Sequence, residues 1–593
     1  MGIVNIDTGE SGHYLLRFDY DPNILATIKT IPSRKWIAGI RAHIISEFDV
    51  EPTITALRTA GIEFYMTPEA EQSITKHITS VKNLLILKNQ PLETAVASVE
   101  LKLPLRSFQT VGHNYLINSK CCLLCDEMGL GKSIQIISAF KTLKEQGKVN
   151  KMMVICPSSV KSGWEKDINK FTDLKSVVIQ GTPKERALLY EKEYDILILG
   201  YEIYLSDFGA KRKNKKIAMP KVEIAVCDEC QRLVRIKNKT TQSLLIMKEK
   251  LQLKYIYLVT GTPIINKIED LWSLLTFINP SLVGDFWQFR NRYCVVEYKE
   301  IKILDKALKK QGVFKKKVIS IPEVVGYQNL EELKTKIDPY YIRREKKNVL
   351  ADLPDKIFET YDIELSRNQR LMYEIIQSDF EKAYRSHDVS PANALVWLVR
   401  AKQICDSNEL IDTENNDSSK LVELKSLLED LIPMDSKGNF LEGAHKVVLF
   451  SQYKDMTDIL CRELQQYNPL YLHGQVESAN RPLLIDAFQT DPKYRIFIST
   501  LRAGGVGITL TASDVVILYD KWFSPAANNQ ATDRVHRIGQ KNPVTVIDFI
   551  CKDTVEERIE KILARKKDMF EGMFGEDSAI LAKLTVQEIR NLL

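Results

Sequence analysis

Two long stretches of the chain alternate short apolar runs with amphipathic segments of helical length, and between them that rhythm is lost. The first stretch, from about residue 105 to 275, has apolar runs near Cys121 to Cys125, Met152 to Cys156, Ser176 to Gln180, Asp195 to Leu199, Ile224 to Cys227 and Tyr255 to Val259. Runs of this length predict strands buried on both faces, and their alternation with helices predicts an α/β parallel sheet. The rhythm returns at Lys446 to Phe450, Asn468 to Leu472, Arg495 to Ser499, Val515 to Tyr519 and Val544 to Phe549, which predicts a second parallel-sheet lobe. Lysine-rich, helix-prone sequence lies between, including Asn329 to Ile337 and Gln369 to Arg385, and is expected to form helical protrusions. Asn415 to Ser419 (NNDSS) is the expected linker into the second lobe, and Ala579 to Leu593 is expected to be a helix packed on it. The expected organisation is a small N-terminal domain over 1–75, a linker over 76–104, and a first lobe over 105–279. Protrusions and an inter-lobe segment over 280–425, a second lobe over 426–575 and a C-terminal helix over 576–593 complete it.

Candidate chemistry sits at two strand ends of the first lobe. The run Cys121 to Cys125 breaks into Asp126 to Ser133 (DEMGLGKS), a strand–loop–helix arrangement that points backbone N–H groups at phosphate. Gly129 and Gly131 form the loop, Lys132 can reach the outer phosphates of a nucleoside triphosphate, and the Ser133 hydroxyl can ligate magnesium. Asp126 stands where a standard phosphate loop has its first glycine. The run Ile224 to Cys227 ends in Asp228 and Glu229: one carboxylate to hold the magnesium shell, the other to orient and deprotonate water. Together they describe a nucleoside-triphosphate hydrolase. In the second lobe, Gln530 to Gln540 (QATDRVHRIGQ) is expected to place Arg534 and Arg537 on one helical face. A cationic finger of this kind is worth ~10³ to 10⁵ in rate, and drawing it from the other lobe makes hydrolysis depend on lobe closure.

Composition narrows the setting. With 593 residues, 44% hydrophobic and 27% charged, the chain reads as a globular protein of several domains. No apolar stretch reaches the ~20 residues of a membrane span, and the N-terminus has no leader pattern, so an intracellular location is expected. The ten cysteines include the spacings Cys122/Cys125 and Cys227/Cys230, but residues three apart on a strand face opposite sides, which disfavours a zinc knuckle. A net charge of +6 is mild, so contacts to nucleic acid would have to be local. Lys211 to Lys216, Lys306 to Lys317, Arg343 to Lys347 and Arg565 to Lys567 are the candidates, each also readable as a solvated face.

These motifs, in this order, resemble the Swi/Snf family of superfamily 2 helicase-like ATPases from Leu105 to about Ile562. The resemblance implies two RecA-like lobes with ATP and magnesium as cofactors. It places Arg106 and Gln109 in an adenine-reading motif, adds Gln540 to the nucleotide ligands, and makes Gln231, Thr260 and Thr262 the coupling residues. It assigns DNA contacts to Ser158, Ser159, Trp164, Tyr201, Ser451, Gln452, Thr500 and Arg502. One departure is Asp228-Glu229-Cys230-Gln231, where the family has Asp-Glu-Ala-His or a close variant; glutamine can still bridge the acidic pair to the Thr260 motif. Phe18 to Trp36 resembles the small HARP-type domain of annealing-helicase members, and equally an anonymous α/β module packed on the first lobe. The implied activity is an ATP-driven translocase on double-stranded or branched DNA that acts as a monomer, in bacterial, viral or nuclear surroundings, with its protein partner unknown. The alternatives are a strand-separating helicase, which needs a wedge element, and an ATP-gated DNA-binding scaffold.

Overall fold

A computed structural model describes residues 2–9, 12–209, 217–234, 238–261, 268–304, 316–386, 391–477, 480–501, 508–523, 525–561 and 586–592. The N-terminal strands are β1 (Val4–Thr8), β2 (His13–Arg17), β3 (Lys35–Ile37), β4 (Ala42–Ser46) and β5 (Phe64–Met66), ordered β3-β4-β2-β1-β5 with only the β1–β5 pair parallel. Alternation in β1 and β2 turns Val4, Ile6, Tyr14 and Leu16 onto a core shared with Ile24, Ile28 and Leu57. This domain is fastened to the first lobe by polar and aromatic contacts. Ser46 Oγ donates to the Ser281 carbonyl at 2.6 Å, Asn279 Nδ2 donates to Glu47 at 2.8 Å, and Lys336 pairs with Asp49 at 3.2 Å. The Phe48 ring meets Tyr340 edge-on. The linker expected from 76 begins inside a single helix, Pro68–Lys88, whose last residue pairs with Asp338 at 2.6 Å.

The first lobe is a seven-stranded parallel sheet. It contains β6 (Cys121–Leu124), β7 (Met152–Cys156), β8 (Ser176–Val178), β9 (Ile196–Gly200), β10 (Ile224–Asp228) and β11 (Tyr255–Val259). All of these lie on the apolar runs of the sequence. The stretch from 280 departs from its helical expectation. It opens on an antiparallel hairpin, β12 (Cys294–Leu304) with β13 (Lys316–Tyr327), and then gives a strand to each lobe. β14 (Tyr341–Ile342) joins the first sheet beside β6, completing the order β14-β6-β11-β10-β7-β9-β8. β15 (Lys356–Ile363) edges the second sheet beside β20 (Val544–Cys551). The other strands there are β16 (Val447–Ser451), β17 (Leu470–Leu472), β18 (Ile496–Thr500) and β19 (Val515–Leu518), in the order β15-β20-β19-β16-β18-β17, all parallel. Two-residue and solvent-facing edge strands carry no apolar run, which hid them. Helices at Leu330–Ile337 and Arg367–Arg385 match the sequence expectation.

Asn415 to Ser419 connects two packed helices. The helices on either side, Pro391–Asp406 and Ser419–Leu431, share one core with the second sheet through Leu398, Ile404, Leu424, Leu428, Leu449 and Ile498. The loop is held because Lys420, fully buried, donates to Asp406 at 2.9 Å, Glu556 at 2.8 Å and the Tyr519 carbonyl at 2.9 Å. Of the expected C-terminal helix, Val586–Leu592 is helical and 562–585 lies outside the described residues. Among the described residues no helix is long and apolar enough to cross a membrane.

Lys420→Ala removes the cation that bridges Asp406 and Glu556 and leaves both carboxylates buried without it. The second lobe should lose about 3–5 kcal/mol, read as a lower urea midpoint. A shift worth under ~1 kcal/mol would show that the two acids find other partners.

Candidate nucleotide site

β11 lies between β6 and β10, so the loop after β6, the acids ending β10 and Thr260 after β11 share one sheet edge. Gly129 and Gly131 both take left-handed backbone, φ 89° and 72°, which bends the loop into the helix Lys132–Glu145. Lys132 Nζ lies folded back on the Asp126 carbonyl at 2.8 Å. The missing first glycine has a physical account. Asp126 is completely buried, accepts from Gln135 Nε2 at 3.0 Å, and forms a two-pronged ion pair with Arg344, whose Nε lies 2.9 Å from Oδ1. Its carboxylate therefore anchors the loop from behind. Gln109 Nε2 donates to the Leu130 carbonyl at 3.1 Å, while its Oε1 accepts from the N–H of exposed Arg106 at 3.0 Å. One N–H and one lone pair of that amide remain for a base edge.

Across from the loop, Trp164 Nε1 donates to Asp228 Oδ2 at 2.8 Å, and the Glu229 N–H donates to Oδ1 at 2.9 Å. Burial, together with the charge of Glu229, pushes the Asp228 carboxyl up to about 6. Glu229 has φ 51°, in the left-handed region that costs a side-chain-bearing residue of order 1–3 kcal/mol. Gln231 does span the gap: its Nε2 donates to Glu229 at 2.5 Å, and its Oε1 accepts from Thr260 Oγ1 at 2.8 Å.

The second lobe reaches this edge. A Cβ added at Gly129 would lie 3.2 Å from Arg537 Cγ, and Arg534 Nη2 lies 3.8 Å from Met128 Sδ. Arg537 Nη1 donates to the Ile508 carbonyl at 2.8 Å and to Thr509 Oγ1 at 3.0 Å. Burial, then the neighbouring Arg537 charge, lowers Arg534 to about 10, partly offset by Glu229. The two arginines are not on a helix. The helix Pro525–Thr532 ends before them, and the Arg534 carbonyl accepts instead from Leu510 N at 2.8 Å, a tertiary partner that replaces the next helical turn.

Residues 59–410 match the SNF2-related domain and residues 424–539 the helicase conserved C-terminal domain. The chain belongs to the SNF2 family. It is 29% identical over 550 residues to the putative ATP-dependent helicase/translocase YwqA of Bacillus subtilis, an alignment covering 90% of this chain and 54% of that protein. An uncharacterized ATP-dependent helicase of Mycoplasma genitalium, MG018, is 30% identical over 479 residues, 79% of this chain and 42% of that one. The chain thus spans about half the length of these curated relatives. A solved Sulfolobus solfataricus SWI2/SNF2 ATPase core in complex with dsDNA is 27% identical, with 84% of this chain and 99% of that one covered and a TM-score of 0.37.

Several positions assigned through the SNF2 resemblance are used otherwise. Trp164 and Tyr201 are buried, 1% and 3% exposed, and both serve the acidic strand end: Trp164 through the Asp228 carboxylate, Tyr201 by donating its hydroxyl to the Asp228 carbonyl at 2.8 Å. Neither has a face to offer DNA. Ser451 is buried against Asp520, Thr500 is buried, and Gln452 is partly buried. Gln540 turns into the second lobe, donating to the Ser513 carbonyl at 2.7 Å and accepting from two backbone N–H groups. Ser158 is exposed and Ser159 half-buried, at the tip of β7. Thr262 and Arg502 lie outside the described residues. Asp167, one turn beyond Trp164, was missed: it hydrogen-bonds Ser133 and faces the charge of Arg537, and burial pushes its carboxyl up to about 6. Its signal was the Trp-x-x-Asp spacing, which sets both side chains on one helical face.

Trp164→Phe keeps the buried ring and deletes one hydrogen bond to a carboxylate, a loss of about 1–3 kcal/mol. Magnesium-dependent nucleotide affinity, measured by calorimetry, should fall with duplex affinity unchanged. The opposite pattern would return Trp164 to the DNA surface.

Proposed function

We propose that the chain is an ATP-driven translocase on double-stranded DNA that remodels junctions or protein–DNA complexes. The observation that carries the reading is the meeting of two arginines from one lobe with the phosphate loop and acidic pair of the other. On this reading Lys132 leaves the Asp126 carbonyl for the outer phosphates. Glu229, held by Gln231, orients the attacking water and takes its proton. Arg534 and Arg537 stabilise charge on the transferring phosphoryl group. The donors suit magnesium: Ser133 and Asp228 would hold it, and the adjacent carboxylates of buried Asp228 and partly buried Glu229 concentrate negative charge that a divalent cation would relieve. A divalent cation held there would supply charge neutralisation on the nucleotide's phosphates. Because the same seam closes the lobes, each turnover moves one lobe against the other. Relatives described as ATP-dependent helicases and as a helicase/translocase support nucleic acid as the track.

The N-terminal domain supports branched DNA as the substrate. On the open edge of its sheet, Trp36 is 51% exposed between exposed Lys35 and Arg41, and its ring sits 4.8 Å from His43, itself stacked on Phe18. An aromatic ring beside cations is a surface on which unpaired bases stack. This favours the HARP-like reading. The β12–β13 hairpin is the element that would serve strand separation, and an unwinding assay decides between the two.

ATP turnover should be low alone, rise strongly with duplex DNA and respond little to RNA. Glu229→Gln should keep nucleotide binding and abolish turnover, while Arg537→Ala should cost ~10³ in turnover and much less in ATP affinity. Turnover that is maximal without nucleic acid would sink the translocase reading. Trp36→Ala should weaken binding to forked DNA at least ~5-fold, about 1 kcal/mol, and leave linear duplex unaffected. Equal losses on both substrates would remove the junction role.

A further inference from the structure

The chain that connects the lobes runs along the phosphate loop before it leaves the first sheet. Cys125 N donates to the Ile342 carbonyl at 2.8 Å, and Glu127 N donates to the Arg344 carbonyl at 2.9 Å, so β14 and the two residues after it run beside the start of the loop. Lys346 follows. Its N–H donates to Glu127 Oε2 at 2.6 Å, and its side chain crosses Gly129, with Cε 3.3 Å from where a Cβ there would stand. The ammonium then enters the second lobe, donating to Asp533 Oδ1 at 2.7 Å and to the His536 carbonyl at 2.8 Å. Lys346 is 3% exposed.

Those two acceptors flank Arg534 and alternate with Arg537 in the turn that follows the Pro525–Thr532 helix. With no helix to fix that turn, its geometry depends on tertiary bonds, of which Leu510 supplies one and the connector supplies others. Besides Lys346, Lys356 Nζ donates to Asp533 Oδ1 at 2.7 Å, and His536 Nε2 bonds the Pro354 carbonyl at 2.7 Å. Burial alone would raise Asp533, yet Lys356 and Lys346 bring it down to about 2, so the carboxylate stays charged. A cation buried this deeply is a poor source of net stability, and such groups are better at selecting one arrangement over others.

We propose that Lys346 is a positioning residue that sets Arg534 and Arg537 over the phosphate loop, so that the covalent connector, and not nucleotide alone, determines where the second lobe meets the first. The proposal rests on the two arginines acting across the cleft.

The test uses the full chain with Lys346→Met, Asp533→Asn, Arg537→Ala and the Lys346→Met/Arg537→Ala double variant. Measured for each are duplex-stimulated kcat, KM for ATP, the thermal midpoint, and small-angle scattering without nucleotide. Lys346→Met and Asp533→Asn should each lower kcat at least ~10-fold with KM changed less than ~3-fold, and scattering should show a more extended particle. In the Lys346→Met background, Arg537→Ala should cost less than ~5-fold, since the finger is already misplaced, whereas independent sites would multiply their losses. If Lys346→Met does not fold, the isosteric Asp533→Asn carries the same expectations. Single variants with kcat within about twofold of wild type, or a full Arg537→Ala loss on top of Lys346→Met, would overturn the proposal. A silent Arg537→Ala in the wild-type background would instead bring down the finger reading, and the role of Lys346 with it.

Discussion

Charge desolvated at the seam between two sheets is the constraint on which the rest of the structure turns. Lys132, Arg534, Arg537 and Lys346 meet Asp228, Glu229, Asp533 and Asp167 around a loop where Gly129 contributes no side chain. Positive backbone φ and the packing of two long cations against the same α-carbon both require glycine there. In such a site an unpaired charge costs far more than it would in water, and Asp533 accordingly carries Lys346 and Lys356 while Asp228 carries Trp164. Cations from both lobes therefore stand on either side of the loop.

The supports of that seam lie one layer further back. Arg344 locks Asp126 and so the floor of the loop, while Trp164 and Tyr201 hold the side chain and carbonyl of Asp228. Gln231 ties Glu229 to Thr260, at the end of the strand between loop and acids. A histidine could make the same two contacts only in a suitable tautomer; the glutamine amide makes them with no protonation choice. The departure at this position therefore keeps the link between the acidic pair and the neighbouring strand end.

The N-terminal sheet is fastened to the first lobe through Ser46, Glu47, Asp49 and Lys88. Its contacts fall on 279–284 and 336–340, so the domain grips the two ends of the segment that carries the hairpin and leads into the Lys346 strap.

Much was legible in the chain itself. Eleven apolar runs became the strands expected of them, because a strand buried on both faces must be apolar throughout. The phosphate loop, the acidic strand end and the two arginines were readable because their chemistry demands particular residue types at short spacing. What stayed hidden was whatever depends on partners far apart in sequence. The edge strands β14 and β15 lack apolar runs because they owe their pairing to a neighbouring strand. The inward turn of Trp164, Tyr201 and Gln540, and the roles of Asp126, Asp167 and Lys346, follow from which side chains meet across separations of 27 residues and more, and local pattern holds no record of that. Residue type and spacing determined which reaction the chain is equipped for; packing alone decided which of those residues face the cleft and which hold them there.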